Sequence, residues 1–502
     1  MAVTTIIDPV ARVEGHLKVE LTVSAPTSGT VTAAKMTGNM FRGFENFLVG
    51  LEPLDAPLIT QRVCGVCPTN HAMAAVYAMD DAAKVQATPK GRILRNLIDG
   101  AEFLHSHVLH LYHLAAQDYI DASSLGSPWA PLYGGDRRIS SGPLLTTIIN
   151  SYVAALAIRR KAQTIAAMVS GKQPHGATII GGGCSATPSA ADITTMRALL
   201  TDIRNFINSD LIPQATLLFS AGYYDDYFSI GVGPGKLLSY GVFRQGTDSV
   251  NNLLLKRGIY DGTSVVPVMD DNKIVEDVLH SWYTNSDNLN PSNGVTSPVI
   301  TPPNPMPPSP PSAFPGKAGA YSWLKSPRYK TDGVNKDVYE VGPLARMYVT
   351  GDYTNGISVA DRETARALEA KKIGDAMDSW LTDLNDNHLS EPSFVPYEIP
   401  PNSSGVGLTE AERGALGHWV KYDAAGKISH YQIITPTCWN CSPIDADGAK
   451  GAIEQALIGT PILNANEPVE ALRVIHSFDP CLACAVHVIR DDGKTINKFI
   501  VP

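Results

Sequence analysis

Two Cys-x-x-Cys pairs bracket the sequence. Cys64 and Cys67 stand in QRVCGVCPTNH, with His71 four residues after the second thiol, and Cys481 and Cys484 stand in DPCLACAVH, with His487 three residues on. One such pair is a modest signal, but two, each trailed by a histidine, supply four thiolates for a soft metal if the fold brings them together. A structural zinc is the plainer reading. Against it stands a separation of more than 400 residues between the pairs, because structural zinc staples a short local loop. The odd thiol Cys184 reads as a buried small hydrophobe. The second pair also raises a positioning problem, since the last residues of a chain fray unless something ties them down.

The elements that must position these groups are partly legible. TTIIDPVARVEGHLKVELTV shows β-branched alternation around a polar insert, which predicts strands over the first 60 residues or so with Glu14 and His16 at a bend. From about 70 to 120, and again over 144–170 and 191–220, apolar residues recur at threes and fours, which predicts long helices and a mainly helical core from about 70 to 290. Ten prolines between 291 and 315 exclude helix and read as a surface excursion. A mixed region follows over 316–487, in which HWVKYDAAGKISHYQIIT reads as a β-hairpin with Ala-Gly at its tip.

Composition removes several functions. With 40 basic against 49 acidic residues there is no electrostatic footprint for nucleic acid or an anionic membrane surface. No apolar run is long enough to span a bilayer, and Asp8 and Arg12 interrupt the N-terminal segment before an export signal of its own can form. Seven cysteines in 502 residues are too few for a disulfide scaffold.

RVEGH, RVCGVCPTNHA, YSWLKSPRY, EVGPLAR, ERGALGHW and HSFDPCLACAVH, in order from residue 12 to 487, together resemble the large subunit of nickel–iron hydrogenases almost end to end. The resemblance implies a mainly α fold with small β elements (α+β), one intertwined catalytic unit over residues 1–487, and reversible H2 ⇌ 2H⁺ + 2e⁻ in the uptake direction. By it, Cys64 and Cys481 are terminal thiolates on nickel. Cys67 and Cys484 bridge nickel to an iron that carries CO and CN ligands. Soft, deprotonated sulfur suits such a pair. Splitting H2 leaves a proton for Cys481 or Arg413, between which the sequence does not choose. Glu14 matches the family's relay carboxylate, its rival reading being a salt bridge with Arg12.

The same resemblance makes Arg413 and Thr437 the donors to cyanide and sets Asp479 and Asp118 beside Arg413 as counter-charges. One departure stands out: Glu412 occupies a position where the family commonly has proline. His71 is expected to donate to the sulfur of Cys67. Glu45, the backbone carbonyl of Ile433 and His487 are expected to bind a structural magnesium that holds the C-terminus. Residues 488–502, VIRDDGKTINKFIVP, match a tail that a maturation endopeptidase removes after nickel enters, so the sequence reads as a precursor. The rival is a permanent strand on the surface.

Too few cysteines remain for iron–sulfur clusters, so electrons are expected to leave through an iron–sulfur small subunit, with membrane association through partners on either the periplasmic or the cytoplasmic side. His105, His107, His110 and His113 read as a buried helix face rather than a metal site, and Cys438 and Cys441 as a peripheral thiol pair or chance. The alternatives in other classes are a non-enzymatic relative of the complex I type, which does not keep the four cysteines, and a zinc-stabilised scaffold.

Overall fold

The structure, a computed structural model, describes residues 1–126, 129, 137–246, 249–284, 288–299 and 317–482. Cys484, His487, the tail 488–502 and residues 300–315 of the proline-rich stretch lie outside the described residues.

The N-terminal strands are β1 (Val3–Ile7), β2 (Leu17–Val23) and β3 (Thr27–Gly38), antiparallel in that order. Alternation in β2 is complete. Leu17, Val19, Leu21 and Val23 are fully buried while Lys18, Glu20 and Thr22 keep some exposure, so one face meets the core and the other meets water. Each such apolar side chain contributes roughly 1.5–3 kcal/mol. The polar RVEGH segment loops between β1 and β2, as expected.

Five long helices follow: α1 (Pro68–Ala83), α2 (Pro89–Leu109), α3 (Pro143–Ser170), α4 (Ala190–Phe206) and α5 (Val359–Asp383). Proline opens α1, α2 and α3, where its missing N–H costs nothing. Hydroxyls of Thr88, Ser189 and Ser358 cap α2, α4 and α5, the second in a reciprocal capping box with Asp192. α2 packs against α3 and α5 around Phe103, Leu104, Ile158, Met196, Ile373 and Met377. The helical stretch predicted over 191–220 is interrupted by a wide turn at Ile207–Leu211, just ahead of Pro213, which cannot donate to the preceding turn.

Beyond α5 come β4 (Ser404–Ala411), β5 (Gly414–Tyr422) and β6 (Ile428–Ile434) in one antiparallel sheet. The predicted hairpin is β5 and β6, with β4 as a third strand. α1 lies across β4 so closely that a Cβ at Gly407 would fall 1.9 Å from the carbonyl oxygen of Ala74, and one at Gly405 2.0 Å from that of Ala78. Glycine is required at both. The last elements are β7 (Pro461–Asn464), which pairs with β3 and completes the order β1-β2-β3-β7, and α6 (Val469–Ser477). Within the described residues, this pairing fastens the C-terminal region to the N-terminal sheet. Beyond α6, the Leu482 N–H donates to the Glu14 carbonyl at 2.6 Å.

Candidate metal centre

Three cysteines from the two extremities of the sequence meet in one buried pocket. The sulfurs of Cys64, Cys67 and Cys481 all lie within 4.8 Å of one another, and those of Cys64 and Cys481 are 3.3 Å apart. Each residue is at most 1% exposed. Among the described residues this is the one cluster of metal-ligating side chains. Cys64 follows a single turn of 3₁₀ helix, and its sulfur accepts from the N–H groups of Val66 and Cys67 at 3.2 and 3.4 Å. Such donors favour the thiolate. Cys67 stands at the cap of α1, whose Pro68 fixes the exit of the chain.

Cys481 is delivered by α6. Asp479 takes a left-handed conformation, φ 53°, which turns the chain from the helix into the pocket and is tolerated by aspartate better than by most residues. Cys481 then runs parallel to Glu14 in a β-bridge, so that its Sγ lies 3.4 Å from Glu14 Oε2. Its backbone N–H donates to the Thr437 hydroxyl at 3.0 Å. Arg12, the rival partner of Glu14, is bound instead to Asp118 and to the carbonyl of Leu114.

Arg413 projects from the β4–β5 turn and is 3% exposed. Its Nε approaches Asp479 Oδ2 to 3.2 Å, an ion-pair distance without hydrogen-bond alignment, so Nε and Nη1 keep no aligned acceptor. Burial opposes the charge of Arg413, but Asp479 and then Cys481 outweigh it and hold the guanidinium protonated. Burial would likewise raise Asp479, yet Arg413 keeps it below the usual carboxylate range. Two buried donors facing thiolates are suited to a small lone-pair acceptor on a metal.

Asp118 is placed differently from expectation. It is fully buried, yet its carboxylate meets Arg12 and the Nδ1 of His476 (2.5 Å), and contact with Arg413 is absent. The chain turns away after Leu109 through a wide turn at His110–Ala115, which carries Asp118 towards α6. Burial alone would raise its pKa; Arg12 and His476 prevail and lower it.

His71 Nδ1 meets His418 Nε2 at 3.2 Å, and His418 Nδ1 meets the Tyr431 hydroxyl at 2.9 Å. Burial pushes His71 down to about 4 and His418 well below its ordinary value, so both rings are neutral. The thiol whose charge acts on His71 is Cys64.

Glu45 and Ile433 do come together, although the Ile433 N–H donates to Glu45 Oε1 at 2.9 Å. They line a cleft of about 70 Å³ with Glu276, Lys325, Thr435 and Cys438. Lys325 sits 3.4 Å from Glu45 and 3.5 Å from Glu276, and Glu276 is pushed up to about 7 by burial. Two carboxylates against one ammonium leave the cleft a net negative charge, which suits a hard cation.

Cys438 and Cys441 are not peripheral. Cys441 is fully buried and Cys438 lines that cleft; burial raises both thiols, Cys438 to about 11. The four helix histidines are buried but have separate partners: His105 with Arg159 and Gln163, His107 with Glu369, His110 with Glu363 and the carbonyl of His476, and His113 with the carbonyl of Tyr152. Cys184 is fully buried.

Sequence reasoning missed the carboxylates of α5. Glu369 pairs with Arg346 (2.7 Å), which also binds Glu410 (2.9 Å) and the backbone carbonyls of Ala411 and Glu412. Buried Arg362, Glu363, Arg366 and Glu369 blur the apolar period of this helix. The EVGPLAR motif that carries Arg346 was the available signal.

Residues 42–128 and 122–487 match the model of the nickel-dependent hydrogenase family. The chain is 38% identical to the periplasmic [NiFeSe] hydrogenase large subunit of Desulfomicrobium baculatum, over 99% of this chain and 96% of that one. It is 32% identical to the uptake hydrogenase large subunit of Bradyrhizobium diazoefficiens, over 99% and 97%. The solved structure of the H2-activated Dm. baculatum [NiFeSe]-hydrogenase superposes with a TM-score of 0.87 at 38% identity, covering 97% of this chain and all of that one.

Proposed function

The chain belongs to the nickel-dependent hydrogenase family, and we propose that Cys64, Cys67, Cys481 and Cys484 hold a nickel–iron centre at which it oxidises H2 as the catalytic large subunit. The observation that carries this reading is the meeting of Cys64, Cys67 and Cys481 in one pocket from opposite ends of the sequence. The fourth thiol, Cys484, lies two residues beyond the described segment. The uptake direction is supported by the name of the Bradyrhizobium relative.

When bound, the centre with its CO and CN ligands supplies the site at which H2 is polarised and its electrons are taken up. The protein's residues handle the rest. Arg413, kept charged by Asp479, presents buried donors without aligned acceptors, and these with the Thr437 hydroxyl would hold cyanide by hydrogen bonds. Cys481 receives the proton and Glu14 takes it on, the 3.4 Å between sulfur and carboxylate being a reach that sulfur hydrogen bonds cover. Asp118 acts at a distance from the centre by locking Arg12 and His476, and so fixes the RVEGH loop against α6. His71, neutral, tunes the basicity of the thiolates, Cys67 included.

Glu45 and the Ile433 carbonyl, with His487, would hold a structural magnesium. Residues 488–502 are removed on maturation. Electrons leave through an iron–sulfur small subunit, a reading supported by the large-subunit names of the relatives. No helix among the described residues is long and apolar enough to cross a membrane; membrane association, on either side, is assigned to partners as part of the same reading. Infrared absorption by CO and CN on the purified heterodimer, with nickel bound, tests the reading; a zinc-containing protein without those bands overturns it.

A further inference from the structure

We propose that Arg366 and His110 are positioning residues for the reaction at the thiolate pocket: they hold the last two carbonyls of α6 and so set where Asp479 and Cys481 stand. The proposal rests on the hydrogenase reading of the pocket and adds to it the groups that aim its C-terminal thiolate.

The end of α6 needs such groups. The last four carbonyls of a helix have no partner within it, and in α6 these belong to residues 474–477. The Val474 carbonyl accepts from the Ser477 hydroxyl at 2.7 Å, and that of Ile475 from the Phe478 N–H at 3.2 Å. The His476 carbonyl accepts from the Asp479 N–H at 2.8 Å, a bond that a left-handed residue ordinarily makes just past a helix end. Pro480 comes next and has no N–H, so the backbone cap stops there. The Ser477 carbonyl is left over in a fully buried residue, where it must find a donor.

Two other elements supply donors. Arg366 of α5 donates from Nη2 to the Ser477 carbonyl at 2.7 Å, and His110, the residue after α2, donates from Nε2 to the His476 carbonyl at 2.7 Å. Glu363, three residues before Arg366 and so on the same face of α5, ties the two together. Its Oε2 stands 3.0 Å from Arg366 Nη1 and 3.3 Å from His110 Nδ1. All three side chains are buried. Arg362, one turn earlier on α5, lays its guanidinium 3.7 Å from the ring centroid of Phe478 and is held in turn by Glu340 at 2.7 Å. The helix α5 therefore grips both residues that precede Asp479.

The chain beyond this grip is short. Asp479, two residues past Ser477, faces Arg413 at 3.2 Å, and Cys481, four residues past it, brings its sulfur 3.4 Å from Glu14. The segment is fastened again where the Cys481 N–H donates to the Thr437 hydroxyl and the Leu482 N–H to the Glu14 carbonyl. With both ends fixed and so few residues between them, a shift of the carbonyls at 476 and 477 passes to the Asp479 carboxylate, and through it to Arg413. A misplacement of about 1 Å in a reacting constellation costs about 10²-fold in rate.

The test uses the full chain, taken as the heterodimer when loaded with nickel. Arg366→Met/Glu363→Gln removes the cation together with its carboxylate, so that neither is left buried alone, and His110→Leu removes the second donor. Amide hydrogen exchange read on the peptide holding Asp479 and Leu482 is expected to quicken at least about tenfold in both variants, with the amides of β2 unchanged. Unchanged exchange at 479 and 482, or an equal rise in β2, overturns the positioning role. At wild-type nickel content the CO and CN infrared bands are expected to shift in both variants, because Asp479 orients the Arg413 donors, and D2/H2O exchange to fall at least about tenfold. Bands at their wild-type positions overturn the link to the reaction. His110→Gln, which keeps an N–H to donate, is expected to stay closer to wild type than His110→Leu; an equal shift in the two overturns the part given to that bond. Absence of CO and CN bands in wild type defeats the hydrogenase reading, and the amide exchange then decides the grip on α6 by itself.

Discussion

Arg346 donates to the backbone carbonyl of Glu412 at 2.7 Å. The same guanidinium binds Glu369 of α5, Glu410 of β4 and the carbonyl of Ala411, so one buried side chain fixes the turn that presents Arg413 to the thiolates. Its charge is held by those two carboxylates against burial. Arg346→Met leaves Glu369 and Glu410 buried without their cation, and loss of one partner of a buried pair costs about 3–5 kcal/mol. Chemical denaturation is expected to show that loss, and Arg346→Lys to recover little of it because an ammonium lacks the planar fork. A wild-type midpoint in Arg346→Met would contradict the clamp.

Glu14→Gln keeps the size of the relay carboxylate and removes its ability to take a proton from Cys481. Isotope exchange between D2 and water is expected to fall about 10²-fold, the lower end of what a positioned acid–base group contributes, with nickel content and CO and CN bands retained. Exchange at the wild-type rate removes Glu14 from the path.

Gly407 lies where β4 touches α1, and the helix that would be pushed away carries Cys67 at its cap. Gly407→Ala must displace backbone rather than a flexible side chain, so a loss of about 1–3 kcal/mol or more is expected. Nickel occupancy is expected to fall with it. Unchanged stability together with full metal loading would mean that α1 yields freely.

Glu454 is pushed up to about 7 by burial, against the Met36 N–H (2.9 Å) and the Tyr321 hydroxyl (2.8 Å) that favour its ionised form. A carboxyl raised on folding contributes stability that is fully present below its unfolded value near 4.5 and is lost as pH rises through the folded value. Glu454→Gln does not titrate. Its stability relative to wild type is therefore expected to rise between pH 4.5 and 7 and to level off outside that window, measured by denaturation on the metal-free protein. A constant difference across the window would refute the raised pKa.

Much of the scaffold was legible because its signals are local. Alternation marked β2, and the three-and-four period marked α1, α2 and α3. α5 escaped because its inward face is built from ion pairs, and periodicity counts apolar residues. The thiolate pocket was legible only as composition plus resemblance: nothing within QRVCGVC says that β3 and β7 will pair and bring α6 alongside. The structure does not place Asp118 beside Arg413. The expectation that it would came from resemblance alone, and no local signal shows that the widened turn at His110–Ala115 carries the Asp118 carboxylate to Arg12 and His476.

The pairing of β3 with β7 has a further consequence for how the molecule is made. β7 is made more than 400 residues after β3, so through that interval the outer edge of β3 displays an unsatisfied row of backbone donors and acceptors, an invitation to intermolecular strand addition. The nascent polypeptide therefore needs that edge shielded, by a chaperone or by speed, until β7 emerges to cover it.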